Sequence, residues 1–216
     1  MSKRLVFLLC LGLGATLLLS AGARAATFDI KLAASTDDME EYVTDGAMQS
    51  TSSDLEMPYE NSGTPPTQPQ IIGLRYFLAV SKGIQVSKAY VEFTCDETKG
   101  GTSPVNLVIQ GQLIANAPAF ATTAKDLSSR TTRTKAQVSW SVENWTTVGQ
   151  KSQSADISSI IQELVNQTGW ASGNAIVLII SDDKSKPSSG VRCADAMEDQ
   201  AAGAGTAAVL HLEILP

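Results

Sequence analysis

The chain has 216 residues, 43% hydrophobic and 18% charged, with a formal charge of −6, one histidine and three cysteines. This length buries a core within one domain. The acidic balance argues against nucleic acid or an anionic membrane surface, because neutralising phosphate needs clustered Lys and Arg. Zinc sites built from several His or Cys ligands are excluded by count.

The first 25 residues read as a secretory signal peptide. Met1-Ser-Lys-Arg4 is a charged start, Leu5 to Leu19 an apolar run, and Ala23-Arg-Ala25 a small-residue cleavage site. The run falls short of the roughly 20 residues needed to span a bilayer. The mature chain is therefore expected to start at Ala26, to be secreted and extracellular, and to form a single β-sandwich domain over residues 26–216. Loss of Lys3, Arg4 and Arg24 takes the formal charge to about −9. Cys10 leaves with the leader.

Segments with strand composition and period-two alternation then follow between Gly, Ser, Thr and Pro clusters. They are Ala26 to Ala33, Ser53 to Met57, Ile71 to Val80, Val86 to Cys95, Val105 to Gln110, Ala136 to Val142, Ala175 to Ser181 and Ala208 to Leu215. So many short strands imply an all-β sandwich. Ala175 to Ile180 is apolar on both faces and should be central. Asp156 followed by Ile157, Ile160, Ile161, Leu164 and Val165 changes the period to that of a helix. Asp156 or Ser154 is placed to cap it, Gly169 to stop it. This helix should lie across one end or edge of the sandwich as packing. Glu60 to Pro69, Thr122 to Lys135 and Asp182 to Ala207 read as surface loops. The second of these holds the only basic concentration, Lys125, Arg130, Arg133 and Lys135.

No catalytic constellation stands out. Alternation puts His211 with Glu213 on the polar face of its strand, facing solvent, a poor place for the base of a Ser-His-Asp mechanism. Glycoside hydrolysis needs only two carboxyl groups, and acids are plentiful, but no spacing singles out a buried pair. Asp37, Asp38, Glu40 and Glu41 suggest a calcium-tied segment, since hard cations take carboxylate oxygens. Asp54 and Glu56, two apart in a strand, could add ligands from one face. A solvated acidic segment gives the same pattern, so both readings stand. Trp140 alternates with Val138 and Val142 as a core residue. Trp145 and Trp170, beside turns, and Tyr42 and Tyr59, in loop-like segments, are the candidates for stacking on a sugar ring. Asn144 and Asn166 head N-glycosylation sequons. Cys95 and Cys193 read as one disulfide closing about 98 residues, because Cys193 falls in a polar loop. Two buried thiols are the alternative.

Asp37-Asp-Met-Glu-Glu41, Ser52-Ser-Asp-Leu-Glu56, Ile72-Gly-Leu-Arg-Tyr-Phe77, Ala89-Tyr-Val-Glu-Phe-Thr94 with Asp96-Glu97, Leu127-Ser-Ser-Arg130, and Asp156 to Glu163 through Gly169-Trp-Ala-Ser-Gly-Asn174 occur together here. This set resembles secreted jelly-roll modules similar to carbohydrate-binding modules. The resemblance covers nearly the whole mature chain, although the Cys95 and Cys193 pair looks like an addition. It implies a two-sheet jelly-roll sandwich with one short flanking helix and a non-catalytic accessory role. The expected function is a secreted, non-catalytic protein that recognises an extracellular polysaccharide or glycoprotein, with structural calcium as an optional part. A structural component of an acidic extracellular or mineralised matrix is the alternative, and a glycoside hydrolase the third reading.

Overall fold

The computed structural model describes residues 25–61, 67–99, 102–203 and 205–215. The expected leader, apart from Ala25, and the middle of the proline-containing connection lie outside them. In chain order the elements are β1 (Ala26–Lys31), β2 (Asp38–Tyr42), β3 (Met48–Gln49), β4 (Asp54–Met57), β5 (Tyr59–Asn61), β6 (Thr67–Phe77), β7 (Gln85–Glu97), β8 (Val105–Gln112), β9 (Arg133–Val142), β10 (Lys151–Gln153), α1 (Ser158–Val165), β11 (Ala175–Asp182), β12 (Arg192–Asp195), α2 (Met197–Ala202) and β13 (Val209–Leu215).

Two antiparallel sheets face one another. One runs β1-β13-β7-β12-β4 with β10 also on β7, and the other runs β3-β2-β6-β11-β8-β9 with β5 on β6. Within them β1-β13-β7-β10 and β6-β11-β8-β9 interleave in chain order as two Greek keys, the jelly-roll arrangement. The fold is therefore an all-β two-sheet jelly-roll sandwich. Among the described residues no helix is long and apolar enough to cross a membrane.

Alternation builds the core. Ala89, Val91, Phe93 and Cys95 from β7 meet Leu74, Tyr76, Leu107, Ile109, Ile176 and Leu178 from the other sheet, all of them buried. β11 is covered on both faces, as its apolar run predicts. Its Val177 and Ile179 point away from the first core into a second cluster with Met39, Ala117, Phe120 and Leu127. The Thr122 to Lys135 segment is thus a lid on the sheet as well as a connection. Gly73 lies under it: a Cβ there would stand 2.5 Å from a Leu127 methyl and 2.8 Å from the Phe120 ring. Arg130, expected on the surface, is buried over Phe120 and donates to Asp126, Gln112 and the carbonyls of Pro118 and Ala119. Its guanidinium is used internally.

Helix α1 buries Ile160, Ile161, Leu164 and Val165, and Asp156 accepts from the Ser158 amide at 2.9 Å. It ends at Val165 with Asn166 as its C-cap, before Gly169. The helix packs on β7, β8 and β9, where Glu163 accepts the N–H groups of Lys135 and Ala136, both at 2.9 Å. This covers part of an edge strand that would otherwise present unpaired donors. Three expectations are corrected. A second short helix, α2, exists and ends at Gly203 with φ +81°. β12 and α2 form inside the expected Asp182 to Ala207 loop, and β5 and β6 pair within the expected Glu60 to Pro69 loop.

The expected Cys95–Cys193 disulfide is not formed, and both thiols are free and buried. Register gives the reason. Cys95 pairs with Ala194 in the inter-sheet core, whereas Cys193 pairs with Glu56 and Glu97 and its thiol donates to Asp54 at 2.7 Å. Successive strand residues face opposite ways, so the two sulfurs project from opposite faces of one sheet.

Candidate ligand cleft and acidic ribbon

A cleft of about 420 Å³ opens where the edge of β9 runs past β10 and β7. Its walls are Glu92 from β7, Trp140 and Ser141 from β9, Glu143 just beyond, and Lys151 and Gln153 from β10. The size is that of a small-ligand pocket, but the lining is mostly polar where such pockets are mostly apolar. Trp140 is only 5% exposed and stacks on Phe93 with ring centroids 5.5 Å apart. Packing from behind thus fixes the one aromatic on the wall. Lys151 donates to the Thr94 hydroxyl at 2.5 Å and stands 3.9 Å from Glu92. The other Glu92 oxygen lies 4.0 Å from His211, whose Nδ1 is 2.6 Å from Asp29. The imidazole stacks on Tyr90 at 4.6 Å, so it is held between neighbours and is not free in solvent as its strand position suggests. Glu143 is exposed, and its carboxylate accepts no hydrogen bond among the described residues.

The aromatic residues singled out for sugar stacking do not gather here. Trp145 is 0% exposed within the core, and Trp170 is buried with its indole N–H donating to the Val80 carbonyl at 3.0 Å. Neither presents a ring face, because folding gains more from burying so large a side chain. Tyr42 and Tyr59 are half-buried, with hydroxyls donating to Glu60 at 2.9 Å and Asp182 at 3.4 Å. Asn144 and Asn166 are exposed.

The four acids of the Asp37 to Glu41 segment do not converge into one group of ligand atoms. All are buried, and each has a separate structural duty. Asp37 pairs with Arg75 at 2.8 Å, Asp38 accepts the Met197 amide at 2.8 Å, Glu40 the Glu56 amide at 2.8 Å and Glu41 the Ser128 amide at 2.9 Å. Strand geometry sends neighbouring side chains to opposite faces, which is why contiguity failed to make a cluster. Burial, with like charge from Glu198 and Asp37, pushes Asp38 up to about 7, and burial also holds Glu40 well above the usual carboxylate range.

Asp54 and Glu56 do share a face, and Cys193 brings its sulfur within 4.8 Å of both. Lys99 lies among them, its Nζ 3.0 Å from Glu56, 3.1 Å from Glu97 and 3.9 Å from Asp54. A lysine ammonium therefore already fills the role a metal would take. Burial outweighs that ammonium and pushes Glu56 up to about 8. A second set, Asp96, Asp195 and Asp199, also converges within 4.8 Å and offers only oxygen. Burial, then Asp54, Asp195 and Asp199, push Asp96 up to about 6. Gly205 packs on two of these carboxylates, where a Cβ would lie 2.2 Å from Asp199 and 2.6 Å from Asp195. Sequence reading missed this set, because Asp195 and Asp199 belong to elements hidden in an expected loop. The two sets form one acidic ribbon on the outer side of β4, β12 and β7. Three carboxylates without a cationic side chain among them suit a hard cation.

No protein-family model matches the chain, and no curated protein matches it.

Proposed function

We propose that this is a secreted, non-catalytic binding protein that holds an extracellular polysaccharide or glycoprotein glycan in the cleft between β9 and β10. The carrying observation is the cleft itself, open at a sandwich edge, lined by carboxylate, amide, hydroxyl and ammonium groups, with an indole wedged into its wall. A polyol offers many donors and acceptors and suits such a lining, while a compact apolar ligand would leave these groups unpaired. Calcium enters this reading as a structural ion; of the two all-oxygen sets, that of Asp54, Asp96 and Glu97 has Lys99 on two of its members, so Asp96, Asp195 and Asp199 fit the ion better.

Retention on a panel of insoluble polysaccharides tests the reading, in calcium and in chelator, at low and high salt. Retention on one polysaccharide that persists in high salt and is lost in a Glu143→Ala, Gln153→Ala double variant is the expected result. The acidic ribbon favours a second reading, a structural component of an acidic or mineralised extracellular matrix. Its mark would be adsorption to calcium mineral that salt abolishes and the cleft variant leaves intact.

A further inference from the structure

We propose that β1 is the interface of a homodimer, in which the edge strands of two copies pair antiparallel about a two-fold axis at Ile30. Each sheet path has two ends, β1 and β4 in one sheet, β3 and β9 in the other. Three of these are guarded or short. Glu40 accepts the Glu56 amide of β4, Glu163 accepts the amides of Lys135 and Ala136 at the start of β9, and β3 has two residues. The rest of the β9 edge runs past β10 along the cleft. β1 extends for six residues with β13 as its only strand partner, and among the described residues no other group bonds its backbone. An antiparallel strand turns every second N–H and C=O pair outward, so such an edge is a template for another strand.

Charge selects a second copy as the occupant. Thr27, Asp29 and Lys31 are exposed on the outer face of β1, while Phe28 and Ile30 are half-buried against the core. Lys31 enters no ion pair among the described residues, and Asp29 meets His211 through one oxygen only. Residues directly opposite in an antiparallel pair share a face, so the two-fold axis must stand on a residue. On Asp29 or Lys31 it opposes like charges, and on Phe28 it leaves Lys31 unmatched. On Ile30 it sets Asp29 of each copy opposite Lys31 of the other, with Phe28 opposite Leu32, and opposite charges across a strand pair stabilise it. A charge on an edge ordinarily deters pairing, but an acid and a base two residues apart match their own sequence read backwards. So short a strand pair buries little area, which makes the dimer weak and dependent on concentration. The axis keeps like faces on one side, so both copies turn Glu92 and the cleft it walls the same way, an arrangement that favours two-point attachment to a polymer.

The experiment is sedimentation equilibrium of the purified chain over a wide range of concentration. A monomer–dimer equilibrium is expected, with a dissociation constant in the micromolar range. Lys31→Glu should weaken the dimer by about tenfold or more, and Asp29→Lys should do the same. An equimolar mixture of the two variants should restore association as a heterodimer, since each supplies the charge the other lacks. Melting curves confirm folding, and Lys31→Glu decides alone if Asp29→Lys, which loses the His211 contact, does not fold. A chain that stays monomeric throughout overturns the proposal and leaves the edge to a strand of another protein. A dimer indifferent to Lys31→Glu also overturns it, since association then uses another surface.

Discussion

Several carboxyl groups in this protein are buried, Asp38 and Glu40 beside backbone donors where arginine or lysine would be the usual partner, and Glu56 beside Lys99. Asp38 and Glu56 are raised to about 7 and about 8 from ordinary values of 3.8 and 4.5. For an acid raised by folding, the native state binds more protons than the unfolded chain between the two values. Stability is then greatest below the unfolded pKa and is lost as pH rises through the folded one. The melting temperature should therefore fall between pH ~5 and ~8, and Asp38→Asn should flatten part of that slope in a pH series of thermal melts. A second expectation concerns sulfur. Thiol titration should find Cys95 and Cys193 both reactive after denaturation and both silent in the native protein, where each is 0% exposed. Neither outcome is legible from residue order. Which face a cysteine or carboxylate occupies depends on strand register, here shifted by an irregularity between Cys193 and Ala194.

Regular elements declare themselves in sequence when their pattern matches their burial. Each expected strand exists, because alternation such as Tyr90, Val91, Glu92 and Phe93 is what a half-buried antiparallel strand produces. β2 escaped because Asp-Met-Glu-Glu-Tyr looks solvated, although four of its five residues are buried against other elements. The device at the edge of β9 was also invisible, since Glu163 and the Lys135 and Ala136 amides it caps lie far apart in sequence. Glu163→Ala should cost about 1–3 kcal/mol in urea unfolding, from two charge-assisted bonds to backbone. It should also increase self-association by freeing an edge. Gly73→Ala tests the packing of the lid segment. A methyl 2.5 Å from a Leu127 methyl and 2.8 Å from the Phe120 ring must displace those side chains, and overpacking of this kind costs about 1–3 kcal/mol. Urea unfolding of this variant should show a lower midpoint with little change in slope.

At the scale of the whole molecule, many short strands that must close around one core imply a sandwich, so the fold class was readable, while the jelly-roll order was an expectation carried by the resemblance alone. The cleft was not readable, for its walls come from residues 92 to 153 on three strands that meet only after the sheets pack. The acidic ribbon has the same origin, and it makes the two functional readings separable by thermodynamics alone. Carboxylates crowded without compensation repel one another, and any cation that screens them stabilises the fold a little. A site does more: a bound ion stabilises in proportion to the logarithm of its concentration over its dissociation constant. Calcium should therefore raise the melting temperature well beyond sodium chloride of equal ionic strength. Asp199→Asn should remove that excess while raising stability in chelator, because it relieves repulsion with Asp96 and Asp195. If matched sodium chloride reproduces the whole calcium effect, the ribbon is a diffuse acidic surface. The matrix reading then gains, and the cleft must carry binding without a structural ion.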